Sequence, residues 1–453
     1  MKILFIMPLA YPVYSFQIAA LSSFLKKNGH NVDFLELILD EKISKDDFDN
    51  LNKKIESFMP DVIGFSSYEL SFTWIQELSD FIKSRSVNVP VIVGGYHATL
   101  VPEEVLAYPS IDMVCRGEGE YALLELLDEM AKGRVSKNIK NIWFKDGKEI
   151  IKNEMRPMIY NLDELPFVDR AMHKIEGGDR EYLEVMGSRG CPYDCANCCN
   201  SAFKDLYGDR AGYLRFRSPG HIISEIKECL RMHPFKIIAF EDDTFTASLK
   251  WLKEFCEEYK KSVKLPFICN VRPETANLER LGLIRDAGCE TISIGVEAGD
   301  ENIRRAVLNR RMTDKQIIDA FRNAKKLRLK TKSYNMVGLP HETRASLLKT
   351  ILLNFRLAPT AVQTTVYYPF KGTKLGDECY EKGWVDMDRK KRLKLLANDS
   401  ILNLPSLSRL EIRMAKWFNS ATALRSGNLD TIKGGFRLLY SSIIRINKSK
   451  GRS

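Results

Sequence analysis

Four of the chain's ten cysteines fall within nine residues, in a stretch that reads G-S-R-G-C-P-Y-D-C-A-N-C-C-N from Gly187 to Asn200. Cys191, Cys195 and Cys198 have the spacing C-x3-C-x2-C. Three thiolates on one short loop can each bind one iron of a cubane [4Fe–4S] cluster, which leaves the fourth iron open to a substrate or cofactor. A structural zinc site needs a fourth protein ligand and favours paired C-x2-C elements. No second pair follows, and Cys199 reads as a neighbour of the cluster. Ten cysteines in 453 residues do not make a secreted disulfide framework, so a metal site in a reducing compartment is expected.

Such a loop must be carried by strands. EYLEVMG precedes it, and KIIAFED, FICNVRP, ETISIGVEAG, KSYNMVGLP and VQTTVYYP follow, each trailed by a helical stretch. Six strand–helix units over 181–385 predict a partial (β/α)6 barrel with its functional residues at the carboxyl ends of the strands. Over 1–133, KILFIMP, NVDFLEL, DVIGFSS, VPVIVGG and DMVCRG alternate with helical stretches. Continuous apolar strands separated by helices predict a parallel, doubly covered α/β sheet of flavodoxin-like (Rossmann-type) form. Its ligand side would carry Ser66, Ser67, Gly94, Gly95 and His97, then Gly117 and Glu118. Paired glycines admit a large flat or phosphate-bearing ligand, but after a strand they more often make a plain turn, and a lone histidine such as His97 is more often structural or solvent-facing than a ligand. No GxGxxG follows the first strand, which disfavours an ordinary dinucleotide site. Residues 134–180 read as a linker holding a small hairpin around Asp146-Gly147.

Charge is distributed unevenly. The chain carries 69 Lys+Arg against 59 Asp+Glu, yet residues 386–453 alone hold 15 basic and 5 acidic groups, and the rest is electroneutral. A nucleic-acid surface over the body is therefore disfavoured. The 386–453 region reads as mainly helical and basic. It opens on Arg389-Lys390-Lys391-Arg392 and ends on GGFRLLYSSIIRINKSKGRS. Two readings stay open: contact with an anionic membrane or an acidic, lipid-like substrate, and a helix capping the barrel with its cations in solvent. No apolar run reaches the roughly 18 residues of a spanning helix. Ile3 to Met7 reads as a buried strand rather than a leader, so a cytoplasmic protein is expected.

The cysteine loop resembles the signature of the radical S-adenosylmethionine enzymes, and residues 1 to 385 resemble their cobalamin-binding subgroup. Gly190-Cys191-Pro192-Tyr193 matches the G-C-P-Y of many members, although Asn197 stands where most have an aromatic residue. In Phe240-Glu241-Asp242-Asp243-x-Phe245 the resemblance implies that Asp242 or Asp243 meets the methionine amino group. It directs Ser293 and Glu297 to the ribose hydroxyls, and Asn335 with Gly338-Leu339-Pro340 to the adenine. His341 replaces the glycine that usually continues this motif, so a different turn is expected there.

The same resemblance implies cobalamin near Ser66, Ser67, Gly94, Gly95, His97, Gly117 and Glu118. No histidine would ligate the cobalt, since D-x-H-x-x-G is absent. One-electron cleavage of S-adenosylmethionine would then yield a 5′-deoxyadenosyl radical. The expected outcome is methylation of an unactivated carbon of a small-molecule or lipid-like substrate, fed by an external donor such as flavodoxin or ferredoxin. The alternatives are radical cyclisation, rearrangement or C–C coupling, a domain that keeps the fold without cobalamin, and a non-catalytic iron–sulfur electron-transfer or binding protein. Methylthiolation is disfavoured because the first domain holds only Cys115.

Overall fold

The computed structural model describes residues 1–453 except 12–13, 40–41, 86–88, 135, 173–180, 393–398 and 423–453. In the first sheet, strand β1 (Lys2–Leu9) is flanked by β2 (Asn31–Ile38) and β3 (Val62–Ser66), followed by β4 (Val91–Gly94) and β5 (Met113–Cys115), all parallel. The order 2-1-3-4-5 is flavodoxin-like. β1 is buried on both faces and divides its side chains by alternation. Leu4 and Ile6 enter the core with Trp74, Ile75 and Leu78, while Ile3, Phe5 and Met7 enter the core with Leu123 and Leu126. The expected hairpin forms as β6 (Ile142–Asp146) and β7 (Glu149–Ile151). It pairs antiparallel onto β5, so it extends the first sheet instead of lying in a linker.

The second sheet has six parallel strands in sequential order. These are β8 (Tyr182–Val185), β11 (Ile237–Phe240), β12 (Phe267–Val271), β13 (Cys289–Glu297), β14 (Lys330–Val337) and β15 (Ala361–Val366). β8 and β15 pair on one side only, so the barrel stays open. A two-stranded ribbon of β9 (Ser188–Arg189) and β10 (Arg215–Phe216) brackets the cysteine loop. Behind the sheet an aromatic cluster of Phe240, Phe245, Trp251, Phe255, Tyr259 and Phe267 fixes the helix layer. The helix Arg409–Ala421 closes the β15 edge. Asn419 Nδ2 donates to Thr364 Oγ1 at 2.9 Å, and Ile412 lies against Gly338. The apolar and cationic stretch from Gly434 to Ser453 lies outside the described residues. Among the described residues no helix is long and apolar enough to cross a membrane.

Candidate active site

The cysteine loop leaves β9 through Gly190, whose φ is +86°. A Cβ there would stand 2.3 Å from Tyr213 O, so glycine is required on two counts. The loop ends at the helix Cys199–Tyr207. Lys204 of that helix is fully buried and reaches back to the loop, donating to Tyr193 O at 2.6 Å and pairing with Asp194 at 2.5 Å. Burial pushes the Cys191 thiol up to about 11. A hydrogen bond from the Cys199 thiol brings Cys198 down to about 7 and holds Cys199 well above its usual value.

Two arginines converge on the middle cysteine. Arg272, just past β12, places Nη1 3.2 Å from Cys195 Sγ. Its guanidinium lies 3.6 Å from the centre of the Tyr193 ring, and Nη2 is anchored by Glu274 Oε1 at 2.6 Å. Arg310 Nη1 stands 3.8 Å from the same sulfur and 3.0 Å from Glu297 Oε1, while Nη2 donates to Gly295 O at 3.0 Å. A thiolate at Cys195 thus faces two fixed cations in a nearly dry setting. Neither arginine was singled out in the sequence. They sit 77 and 115 residues from Cys195, and the one local signal is that each closes or follows a strand unit.

The strand-end candidates divide by side-chain direction. Asp242 is buried, with Oδ2 accepting from Gly187 N at 3.0 Å and Oδ1 accepting from Ser188 Oγ. Burial lifts its pKa to about 6. Asp242 therefore braces the strand leading to the cysteine loop, and Asp243 is the carboxylate that opens beside the loop, with Oδ2 accepting from Asn200 Nδ2 at 3.0 Å. Ser293 and Glu297 stand on the lumen-facing alternation of β13. A bulge between Gly295 and Glu297, and a φ of +67° at Glu297, turn that carboxylate onto Arg310.

Asn335 does not face the lumen. It pairs with Ser333 and Asn354 toward the helix layer, because alternation on β14 sends Lys332, Tyr334 and Met336 the other way. Met336 Sδ lies 3.7 Å from Asn197 Nδ2 in the cysteine loop, and register aligns Lys332 with Ser293 and Tyr334 with Gly295. Gly338 and Leu339 form a closed turn rather than an open edge. Their amides both donate to Glu342 Oε2, at 2.8 and 3.1 Å, and Leu339 is buried. His341 keeps the left-handed conformation that glycine normally supplies, at φ +61°, with Nε2 2.8 Å from Glu378 Oε1.

A cavity of about 350 Å³ lies between the two sheets. Ser66, Gly94, Gly95, Gly117 and Glu118 line it from the first domain, and Arg189, Asn200, Phe203, Tyr207, Tyr213 and Asp243 line it from the barrel. Ser67 and His97 do not reach it. Ser67 is consumed by Gly94 O and Ala98 N, and the helix Gly95–Leu100 rotates His97 into the core against Phe72. Burial drives His97 down to about 4. Glu118 borders the cavity with both oxygens engaged, by Arg189 at 2.9 Å, Arg215 at 3.0 Å and Ile159 N at 2.8 Å, so it ties the domains together.

Residues 4–127 match the B12 binding domain family, and residues 185–353 match the radical SAM superfamily. The uncharacterized methyltransferase PH0819 of Pyrococcus horikoshii is 31% identical over 333 residues, which cover 72% of this chain and 71% of that protein. The chain belongs to the cobalamin-binding radical S-adenosylmethionine enzymes. A second relative of this radical enzyme is the anaerobic magnesium-protoporphyrin IX monomethyl ester cyclase of Cereibacter sphaeroides. It is 27% identical over 378 residues, 80% of this chain and 59% of its own length. The fold matches that of the radical S-adenosylmethionine methyltransferase TsrM from Kitasatospora setae, with a TM-score of 0.70 at 17% identity, covering 84% of this chain and 76% of that one.

The cofactors of this enzyme are a [4Fe–4S] cluster, S-adenosylmethionine and cobalamin. The residues present fit the two resident groups. Cys191, Cys195 and Cys198 are three separate thiols on one loop, a donor set that suits separate irons of one cluster. The first-domain glycine loops border the cavity and pack tightly against their neighbours. A Cβ on Gly95 would meet Ser67 O at 2.6 Å, and one on Gly117 would meet Tyr207 Oη at 2.2 Å.

Proposed function

We propose that this enzyme methylates an unactivated carbon of a small organic substrate held between its two domains. The observation that carries this reading is the continuity of one cavity from the first-domain glycines to Asp243 and Asn200 beside the cysteine loop. When bound, the cluster supplies the electron that cleaves S-adenosylmethionine, and cobalamin supplies the carrier for the methyl group.

Cys191, Cys195 and Cys198 would hold the cluster, with Arg272 and Arg310 balancing charge at Cys195. Asp243 would accept from the methionine ammonium, since a carboxylate is the matched partner of that cation. Ser293 and Glu297 would orient the ribose. Ser66, Gly94, Gly95 and Gly117 would offer backbone and space to the corrin. Tyr96 stacks on Phe203 at 5.6 Å and, with Tyr207 and Tyr213, would exclude water from the reacting carbon. A reducing compartment and a low-potential donor such as flavodoxin or ferredoxin complete the requirements.

The test is anaerobic reconstitution with and without methylcobalamin, followed by mass analysis of the nucleoside products. Methyl transfer yields both 5′-deoxyadenosine and S-adenosylhomocysteine in proportion to methylated substrate. The cyclase relative supports a second reading, radical cyclisation, which yields deoxyadenosine without S-adenosylhomocysteine. Deoxyadenosine formed by Cys191→Ala at the wild-type rate would remove the cluster from the mechanism.

A further inference from the structure

Two neighbouring helices on the outside of the barrel keep apolar side chains in solvent. Arg344–Leu357 presents Leu348 and Leu352 one turn apart, and Arg409–Ala421 presents Leu410, Met414, Trp417 and Phe418, each between 39% and 59% exposed. The helices run side by side, joined by Arg344 to Glu411 and by Ser406 Oγ donating to Glu342 O at 2.6 Å. Their inner faces are already occupied. Leu347 and Leu353 enter the barrel's cores, and Ile412 and Ala415 pack with Leu339. A second apolar stripe on helices that are already docked is not needed for the fold, and six large side chains in one place exceed ordinary scatter.

The charge on the two helices is predominantly basic. The two helices carry six Lys and Arg residues against the single acid Glu411. Arg344, Lys349 and Arg409 are paired with Glu411, Asp300 and Asp386. Arg356 and Arg413 have no ion pair among the described residues. The 31 residues after Thr422 lie outside the described residues, but their sequence continues the same chemistry, with seven basic side chains, one acidic side chain and apolar residues from Phe436 to Ile446.

We propose that the outer face of these two helices docks on an anionic lipid surface. The apolar stripe enters the headgroup–acyl boundary, and Arg356 and Arg413 meet headgroup phosphates. A second copy of the chain, or the chain's own tail, would bring cations against cations, whereas an anionic bilayer complements both stripe and rim. This contact does not depend on the chemistry at the cysteine loop.

Cosedimentation of the full chain with phosphatidylglycerol–phosphatidylcholine vesicles, and with phosphatidylcholine alone, tests it. Binding is expected with the anionic vesicles, weakening as salt rises, and Leu352→Glu/Met414→Glu should partition roughly tenfold more weakly. Both positions are solvent-exposed, so an unchanged thermal melt verifies that the double variant is folded. Cys191→Ala should bind like the wild type, which separates this contact from the fate of the proposed reaction. Equal binding by the double variant, no binding by the wild type, or a solution mass of two chains that the double variant halves would each overturn the proposal. Truncation after Thr422 that abolishes binding while the double variant binds normally would move the contact to the tail and overturn it as well.

Discussion

The cysteine loop and the glycine loops both sit at the carboxyl ends of parallel strands, yet they are built in opposite ways. The first is crowded with directed side chains: Arg272 and Arg310 on Cys195, Lys204 on Tyr193, and Asn200 on Asp243. The second works by omission, with Gly95 and Gly117 at positive φ and no room for a Cβ. A cluster needs donors of defined charge, whereas a corrin needs a wide surface and main-chain groups. One region is therefore specified by residues that are present and the other by atoms that are absent.

The largest effect that sharpens this contrast is Cys195→Ala. Removing one of three thiolates should abolish cluster retention and deoxyadenosine formation, read by iron content and product analysis, while cobalamin binding by the isolated protein is unchanged. Gly95→Val should do the reverse. Its φ of +92° and the 2.6 Å approach to Ser67 O oppose any side chain, so cobalamin retention should fall while iron content holds. Loss of both cofactors in either variant would break the comparison.

Arg272→Gln should leave the cluster in place but make reduction harder, lowering the midpoint potential by tens of millivolts in an EPR-monitored titration. Arg272→Lys should restore little, because a point ammonium cannot stack on Tyr193 and bridge Glu274 together.

A narrower contrast separates the adjacent acids. Asp243→Asn should raise the KM for S-adenosylmethionine with little change in melting. Asp242 has a folded pKa raised from 3.8 to about 6, so the folded state binds its proton more tightly than the unfolded chain does. Its contribution is present below pH 3.8 and lost as pH rises to about 6, by up to about 3 kcal/mol. Asp242→Asn should flatten that slope in denaturant titrations and leave the KM unchanged.

Much of the architecture was legible in the sequence because each strand is a short apolar run between helices, and both parallel sheets form from the expected strands. The hairpin at Asp146-Gly147 was legible as a turn, but its attachment to β5 is a long-range pairing with no local sign. Asn335 shows a finer limit. A motif locates a residue along a strand, while a shift of one position decides which face its side chain takes. The choice between Asp242 and Asp243 was open for the same reason, and the arginines at Cys195 carry no motif at all.

By itself the sequence singled out the three cysteines and the chemistry proposed for them, since thiol spacing on a single loop is a local property. It also determined the parallel, layered character of both domains, because apolar periodicity is local. Only the tertiary structure decided which cations face Cys195, which carboxylate faces the cavity, and that Ser67 and His97 turn away from it. Those outcomes depend on strand register and on the packing of one domain against the other, which couple residues tens to hundreds of positions apart.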